Sequence, residues 1–201
     1  MRTAKQATRM RTSSIDVSDH LVEAALAILE ESGLTTLTVR AVATRAGVAP
    51  MGVYSRFGSK DGLLEALFIS GFQGLRDAIE PPSATSPRRF LESGCMGYRR
   101  YAIEHPQLYH LMFEQMMALD LSPEALDVAR STFSVLADRV QAAMDSGELA
   151  SGDNIEVAQQ IWSAMHGAVS LEIAGVHFAQ DRELNFETMI DALLNGLARP
   201  R

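Results

Sequence analysis

The sequence predicts an all-α protein, and three observations favour this class. Of the 201 residues, 47% are hydrophobic, so the chain has enough apolar side chains for a sizeable core. Apolar residues recur at helical spacing along most of the chain, whereas the alternating pattern of strands is scarce. Ser, Thr, Pro and Gly residues stand at the ends of the periodic segments, and these boundaries define about nine helices.

The first predicted helix lies between two boundary residues. Ser18 is a candidate N-cap before it, and Gly33 is a candidate C-cap after it. Between these two, apolar residues recur on one helical face, at Leu21, Ala24, Ala25, Ile28 and Leu29.

The second and third predicted helices form a helix-turn-helix. Thr38 precedes the segment 39–46, and the segment 50–57 follows after the turn 47–49. Two short helices joined by a short turn that contains glycine are typical of this motif. Small residues at Ala43 and Gly47 allow the helices to cross closely. Val53 and Phe57 are predicted to be core residues. The apolar residues that pack the two helices together are Val42, Ala43, Ala46, Val48, Val53 and Phe57.

Six further helices are predicted beyond Gly58. Ser59 caps the first of them, which is long and apolar on one face. The breaker-rich segment 81–87 then forms a connection. The remaining helices are predicted at about residues 88–105, from Pro106, from Ser122 to about Ser146, at 155–176 and around the apolar stripe 186–197.

Charge is distributed unevenly along the chain. The net charge of -7, taken alone, argues against a nucleic-acid-binding protein. Residues 1–60, however, carry a net charge of +3, and residues 61–201 carry -10. The sequence therefore predicts a basic N-terminal segment, residues 1–60, followed by an acidic body, residues 61–201. The acidic body repels DNA and so restricts DNA binding to the N-terminal segment, but it does not exclude DNA binding.

Several function classes lack their sequence signals. Cys95 is the single cysteine, so there is no disulfide framework and no Cys-based zinc site, and His105 and His110 are poorly spaced for metal binding. The sequence contains no catalytic motif and no phosphate-binding loop. We therefore expect that the protein is not an enzyme and that it binds no cofactor. The segment 161–179 contains a central Glu172, which disfavours a membrane span. We expect a cytoplasmic protein.

Residues 37–67 carry a more specific signal. They contain Thr38-x-Arg40, Ala43-x-x-Ala46-Gly47-Val48, Val53-Tyr54-x-x-Phe57 and Ser59-Lys60-x-x-Leu63. This set of spacings resembles the DNA-binding domain of the TetR family of bacterial transcriptional regulators, and the layout of nine helices extends the resemblance to the whole chain.

The resemblance implies roles for individual residues at a double-stranded DNA operator. Thr38 and Tyr54 would hydrogen-bond phosphates, Lys60 would pair with a phosphate, and Arg40 would reach the major groove or a flanking phosphate. Base edges would be met by the start of the third helix, at Pro50, Met51, Gly52 and Ser55. The alternatives are that Tyr54 is a core aromatic residue and that Arg40 and Lys60 are ordinary solvated charges.

The N-terminal residues are basic, with Arg2, Lys5, Arg9 and Arg11 before the first acid, Asp16. Two interpretations stay open for this segment. It is either a flexible arm that contacts phosphates or the minor groove, or a solvated tail.

The acidic body is rich in methionine and aromatic residues, which suit an adaptable apolar pocket between helices. A small apolar or amphipathic ligand is expected there, although each residue also fits plain core. Trp162-x-x-x-His166-Gly167 resembles a W-x-x-x-H-G subclass of TetR C-terminal domains, with His166 either a core residue or a ligand contact. The candidate pocket residues are Tyr98, Tyr101, Met112, Phe113, Met116, Phe133, Trp162 and His166.

The last two long helices form the dimer interface in the TetR family. The stripe 186–197 and the small residues within 155–174 fit that role, and they also fit packing within one chain. Taken together, the resemblance predicts a ligand-responsive repressor that binds a palindromic operator as a homodimer. Its expected parts are a basic arm at 1–17, a DNA-binding domain at 18–64 and a ligand-binding and dimerisation domain at 65–201. The alternative is a helical small-molecule-binding or adaptor protein without DNA binding.

Overall fold

A computed structural model describes residues 14–80 and 86–198. Within these residues there are nine α-helices, one short 3₁₀ helix and no strand, which confirms the all-α prediction. The chain forms two compact units that divide between Leu63 and Leu64. The basic residues of the predicted arm and most of the connection at 81–87 lie outside the described residues.

Three helices build the first unit: α1 (Ser14–Ser32), α2 (Val39–Arg45) and α3 (Pro50–Phe57). Helix α1 packs on α2, and α2 packs on α3. The predicted apolar face of α1 is buried. From α2 and α3, Val42, Ala43 and Val53 are buried as well, whereas Phe57 is only partly buried.

The boundaries of α2 and α3 follow from local chemistry. The Thr38 side chain accepts a hydrogen bond from the Ala41 amide at 3.1 Å, which caps α2. Gly47 turns the chain with a φ of +67°, a conformation that favours glycine. Pro50 then stands in the first turn of α3, where its missing N–H would have no partner in the helix.

The predicted start of α1 is wrong. The helix begins at Ser14, so Ser18 lies one turn inside it, and residues 14–17 of the expected arm are helical. Gly33 ends α1 as predicted, since its amide donates to the Leu29 carbonyl and its φ is +76°.

Helix α4 (Lys60–Ile79) runs across the division between the two units. The Ser59 hydroxyl accepts from the Gly62 amide at 3.1 Å, which confirms Ser59 as the cap. Beyond Leu64, one face of α4 contributes buried apolar side chains to the second unit, at Leu67, Phe68, Phe72, Leu75 and Ile79.

Five more α-helices complete the second unit: α5 (Pro87–Glu104), α6 (Pro106–Phe113), α7 (Pro123–Asp145), α8 (Asn154–Ile173) and α9 (Arg182–Leu197). The 3₁₀ helix Met116–Ala118 precedes α7. Helix α5 packs against α6, α7, α8 and α9, so it is the central element. Side-chain oxygens cap α5, α7, α8 and α9 at Ser86, Ser122, Asp153 and Asp181.

The apolar stripe of α9 is largely used within the chain, because Phe186, Ile190 and Leu194 are buried. An ion pair also fixes this region. Arg99 on α5 makes two hydrogen bonds to Glu172 on α8, at 2.8 and 3.0 Å, and both side chains are nearly buried. This two-pronged pair joins α5 to α8.

Candidate nucleic-acid interface and cavity

The first unit presents polar and apolar side chains around the start of α2. Thr38 is exposed, and its hydroxyl oxygen is used as the helix cap. The hydroxyl proton therefore remains able to donate to a phosphate oxygen. Arg40, two residues later, is also exposed.

Helix α3 presents most of its predicted contact residues to solvent. Met51 is 73% exposed and Tyr54 is 48% exposed, so Tyr54 is not a core residue. Pro50 and Ser55 are exposed too, and Gly52 is partly exposed. A Cβ added at Gly52 would make ordinary contact with Val48 at 3.7 Å, so α3 does not need glycine there for packing.

Basic side chains of the first unit differ in their partners. Arg45 makes a two-pronged ion pair with Glu31 at 2.6 Å, which joins α2 to α1. The Arg45 guanidinium lowers the pKa of the Glu31 carboxyl by hydrogen bonding to it. In the described part of the chain, no carboxylate pairs with Arg40, Arg56 or Lys60. These three side chains are exposed and have no carboxylate partner there, whereas Arg45 is ion-paired with Glu31.

The second unit encloses an apolar cavity of about 660 Å³. This volume suits a small organic ligand. The wall is formed by α4 to α8 and by the 3₁₀ helix before α7, and α4 contributes Phe72, Leu75 and Ile79. Aromatic rings meet at one side, where Trp162 lies 6.1 Å from Phe113 and 6.0 Å from Phe133 between ring centroids.

Five of the predicted pocket residues line this cavity: Tyr98, Phe113, Met116, Phe133 and Trp162. The other three lie outside the lining. Tyr101 is buried and donates to the Gly71 carbonyl at 2.9 Å. Met112 is fully buried, and its Sδ would lie only 2.6 Å from a Cβ on Gly71. Both residues are turned against α4 and fill the packing there.

The third residue outside the lining, His166, ends a chain of hydrogen bonds. The Trp162 indole donates to the Tyr98 hydroxyl at 3.3 Å, and the Tyr98 and Tyr109 hydroxyls are 2.7 Å apart. Tyr109 Oη lies 2.6 Å from His166 Nδ1. A neutral imidazole that carries its proton on Nε2 accepts at Nδ1 from Tyr109, which in turn accepts from Tyr98. The Trp162-x-x-x-His166 spacing therefore places the two ends of one network on one face of α8.

Burial shifts the ionisation of this network toward neutral forms. Desolvation raises the pKa of Tyr98 to about 12, and it also raises the pKa of Tyr109. Desolvation also lowers the pKa of His166, which the Glu114 carboxylate offsets only in part. The network is thus uncharged near neutral pH.

The lowered His166 pKa predicts that the protein loses stability as pH falls below about 6.5. In this range the unfolded imidazole binds a proton and the folded one does not. The loss from this group is at most about 1.4 kcal/mol per pH unit, reduced by partial solvent screening. Thermal melts between pH 7.5 and 5.5 measure it. The His166→Asn variant keeps a hydrogen-bond acceptor near the Nδ1 position and should flatten the dependence; an unchanged slope would contradict the assignment.

Sequence reasoning missed several polar residues of the cavity wall, among them the buried Thr132 and Arg139 on α7 and Cys95 on α5. A signal was present in α7, because Thr132 and Arg139 lie in the same helical register as the buried residues Ala125 and Ala143. Burial raises the pKa of the Cys95 thiol to about 12, so this cysteine is a protonated, unreactive wall residue.

Both units match known protein families. Residues 21–67 match the family model of bacterial regulatory proteins of the tetR family. Residues 91–193, about half of the chain, match the family model of the tetracyclin repressor-like C-terminal domain. The chain belongs to the TetR family. This TetR-family protein is a transcription regulator with a helix-turn-helix domain.

Individual relatives agree with this assignment. An uncharacterized HTH-type transcriptional regulator of Mycobacterium tuberculosis is 29% identical over 90% of this chain and 81% of its own length. The class D tetracycline repressor of Escherichia coli is 29% identical over 43% of this chain, which is 40% of the repressor.

Solved structures show the same fold. A protein of unknown function from Rhodococcus sp. RHA1 superposes with a TM-score of 0.85 at 23% identity, covering 96% of this chain and all of that protein. The TetR family transcriptional regulator PfmR of Thermus thermophilus superposes with a TM-score of 0.66 at 20% identity, covering 89% of this chain and 99% of PfmR. In the described residues, no helix combines the length and apolar character that crossing a membrane requires.

Proposed function

We propose that this TetR-family protein is a ligand-responsive repressor that binds a palindromic operator as a homodimer and is released by a small apolar or amphipathic molecule. The observation that carries the proposal is the course of α4. This one helix begins with Lys60, a candidate phosphate contact, and lines the cavity further along with Phe72, Leu75 and Ile79.

On this proposal, residues 18–64 read DNA. Thr38, Tyr54 and Lys60 bind phosphates and fix the register, and Arg40 reaches the groove or a flanking phosphate. The exposed residues at the start of α3 meet base edges, with Met51 offering apolar contact and Pro50, Gly52 and Ser55 beside it. Because Met51 and Gly52 carry no hydrogen-bonding side chain, apolar contact and close approach dominate this part of the readout.

Residues 65–201 sense the ligand. A ligand in the cavity touches α4 directly, so it biases the helix that carries Lys60. Release follows only if the ligand binds the two states of the protein unequally. The ligand contacts five wall residues: Tyr98, Phe113, Met116, Phe133 and Trp162. The pattern Trp162-x-x-x-His166-Gly167 is the basis for placing the chain in the W-x-x-x-H-G subclass. Its hydrogen bonds position the wall behind these residues.

Selection of bound duplexes from genomic fragments tests the DNA part of the proposal. We expect a palindromic sequence bound with an affinity that falls steeply with salt. Small molecules suggested by the genes beside the recovered site are then added, and a repressor loses affinity at saturation. Binding that strengthens would indicate an activator, and no sequence-specific duplex binding would leave a helical adaptor.

The dimer is proposed to form through the exposed faces of α8 and α9. Small residues and leucines follow one another there at helical spacing and remain exposed in the single chain: Ser163, Gly167, Leu171, Leu184, Thr188, Ala192 and Gly196. Leu171 and Leu184 are 54% and 55% exposed, so they add apolar surface to these faces. Small residues permit the close approach of a second pair of helices.

A Gly167→Arg variant is expected to be a folded monomer. No atom lies within 4 Å of a Cβ added at Gly167, so the substitution does not disturb the single chain. In the dimer the long charged side chain would enter the interface and be desolvated. Light scattering measures the oligomeric state. Gln141→Arg, at an exposed position of α7, is the matched control and should stay dimeric; a dimeric Gly167→Arg would contradict this interface.

A further inference from the structure

Arg139 stands out among the residues of the cavity wall. It lies on α7, is only 9% exposed and lines the cavity. Its Nη1 donates to the carbonyl of Ile79, the last residue of α4, and its guanidinium lies 4.3 Å from the centre of the Phe90 ring. Gly94 on α5 leaves room for it, because a Cβ there would lie 2.6 Å from Nη1.

This buried cation lacks a carboxylate partner. Among residues 14–80 and 86–198, no ion pair within 4.0 Å involves Arg139, and no Asp or Glu is part of the cavity wall. Burial lowers the pKa of the guanidinium, and the charge of Glu80 offsets this only in part. A guanidinium has five N–H donors, of which the Ile79 carbonyl uses one.

The second arginine of the cavity wall differs in each respect. Arg130 is 70% exposed in its side chain, and it pairs with Asp127 at 2.7 Å. Exposed pairs of this kind contribute little and are well solvated. Arg139 is therefore a desolvated cation at the cavity with N–H donors that have no partner among the described residues, whereas Arg130 is an exposed cation that is already ion-paired.

We propose that the cavity takes a monocarboxylate with an apolar body, whose carboxylate pairs with Arg139. This inference rests on the proposed function, since it names the chemical class of the ligand for the same cavity. The apolar body lies against the aromatic residues Phe113, Phe133 and Trp162. A carboxylate matches the planar guanidinium and supplies the counter-charge that the wall lacks.

The same contact links the ligand to α4. A carboxylate on Arg139 competes with the Ile79 carbonyl for the guanidinium, so binding loosens the tie that holds the last turn of α4 to α7. The ligand thereby acts on α4 at the end opposite Lys60.

Decanoate and decan-1-ol are the probes, because they share a chain and differ in the carboxylate. Binding to the full-length protein is followed by the fluorescence of Trp162, the single tryptophan, and by calorimetry. The wild type is expected to bind decanoate at least as tightly as decanol, although a carboxylate is costly to desolvate. Decanol binding tenfold or more tighter, or no binding of either probe, would overturn the proposal.

The variant Arg139→Gln should lose about tenfold or more in decanoate affinity and keep its decanol affinity, which also shows that the cavity is intact. Arg100→Gln is the matched control, because it removes the same charge from an exposed site on α5 outside the cavity wall, and it should bind both probes as the wild type does. Decanoate binding that survives Arg139→Gln would place the anion elsewhere. The wild-type comparison decides the matter even if that variant does not fold.

Two further readouts separate this proposal from the proposed function. Operator binding by the protein without ligand tests the regulator independently. If decanol and decanoate bound equally in every variant, the carboxylate proposal would be wrong, and the cavity would remain a site for uncharged ligands. Hydrogen exchange of residues 76–80 should become faster with decanoate and not with decanol. Unchanged exchange on decanoate binding would overturn the link through Ile79.

Discussion

Replacing Tyr54 by Phe and Lys60 by Gln together is expected to weaken operator binding by at least about 100-fold while the protein stays folded. Each side chain is exposed, so neither supports the core. A hydrogen bond to a charged group contributes about 1.5–3 kcal/mol, and every 1.4 kcal/mol corresponds to a tenfold change in affinity. The removal of one such contact from each residue accounts for the expected loss.

Salt dependence separates the two residues. Of these two residues, only Lys60 carries a charge that releases counterions from DNA. Lys60→Gln should therefore make the dependence of log affinity on log salt less steep, by about 0.9 for each lysine or about 1.8 for a dimer. Tyr54→Phe should weaken binding and leave the slope unchanged. Anisotropy titrations at several salt concentrations, on the operator recovered by selection, measure both quantities.

Arg100→Gln provides the control, because it removes the same charge from an exposed site on α5 in the second unit. Its affinity and slope should match the wild type. If Lys60→Gln behaved like Arg100→Gln, Lys60 would be an ordinary solvated charge, and the assignment of α4's first residue to a phosphate would be wrong.

Helix boundaries were predictable where a cap and the apolar pattern agree. Thr38, Ser59 and Ser122 each precede an apolar segment, and each caps the helix that follows. Ser18 failed because serine is tolerated inside helices as well as at caps, so the residue type alone does not show that α1 begins one turn earlier, at Ser14.

The cavity was less predictable than the helices. Residue type identified Phe113, Phe133 and Trp162 but did not distinguish the inner wall from the packing behind it, where Tyr101, Met112 and His166 lie. That distinction depends on how far each helix is rotated toward its neighbours, which no single segment specifies. Arg139 was missed because an isolated basic residue in a long helix is usually solvated, whereas here it meets the carbonyl end of α4.

A Gly97→Val variant is expected to lose about 3 kcal/mol or more of stability, with a fall in melting temperature of roughly 10 °C. Gly97 lies on α5 where that helix meets the end of α4. A Cβ at this position would lie 2.0 Å from the Ala78 carbonyl oxygen and 3.0 Å from its carbon. These are backbone atoms, so no side-chain rotation relieves the clash and the two helices must separate.

The control for this variant is Gly152→Val, in an exposed turn where the nearest atom, Met144 Cε, lies 4.0 Å from the added Cβ. Its stability should change by no more than about 0.5 kcal/mol. Denaturant and thermal unfolding measure both variants. A Gly97→Val protein as stable as Gly152→Val would show that α5 does not approach α4 so closely. The expected loss would instead show that α5 packs closely on the last turn of α4, which carries the Ile79 carbonyl bound by Arg139.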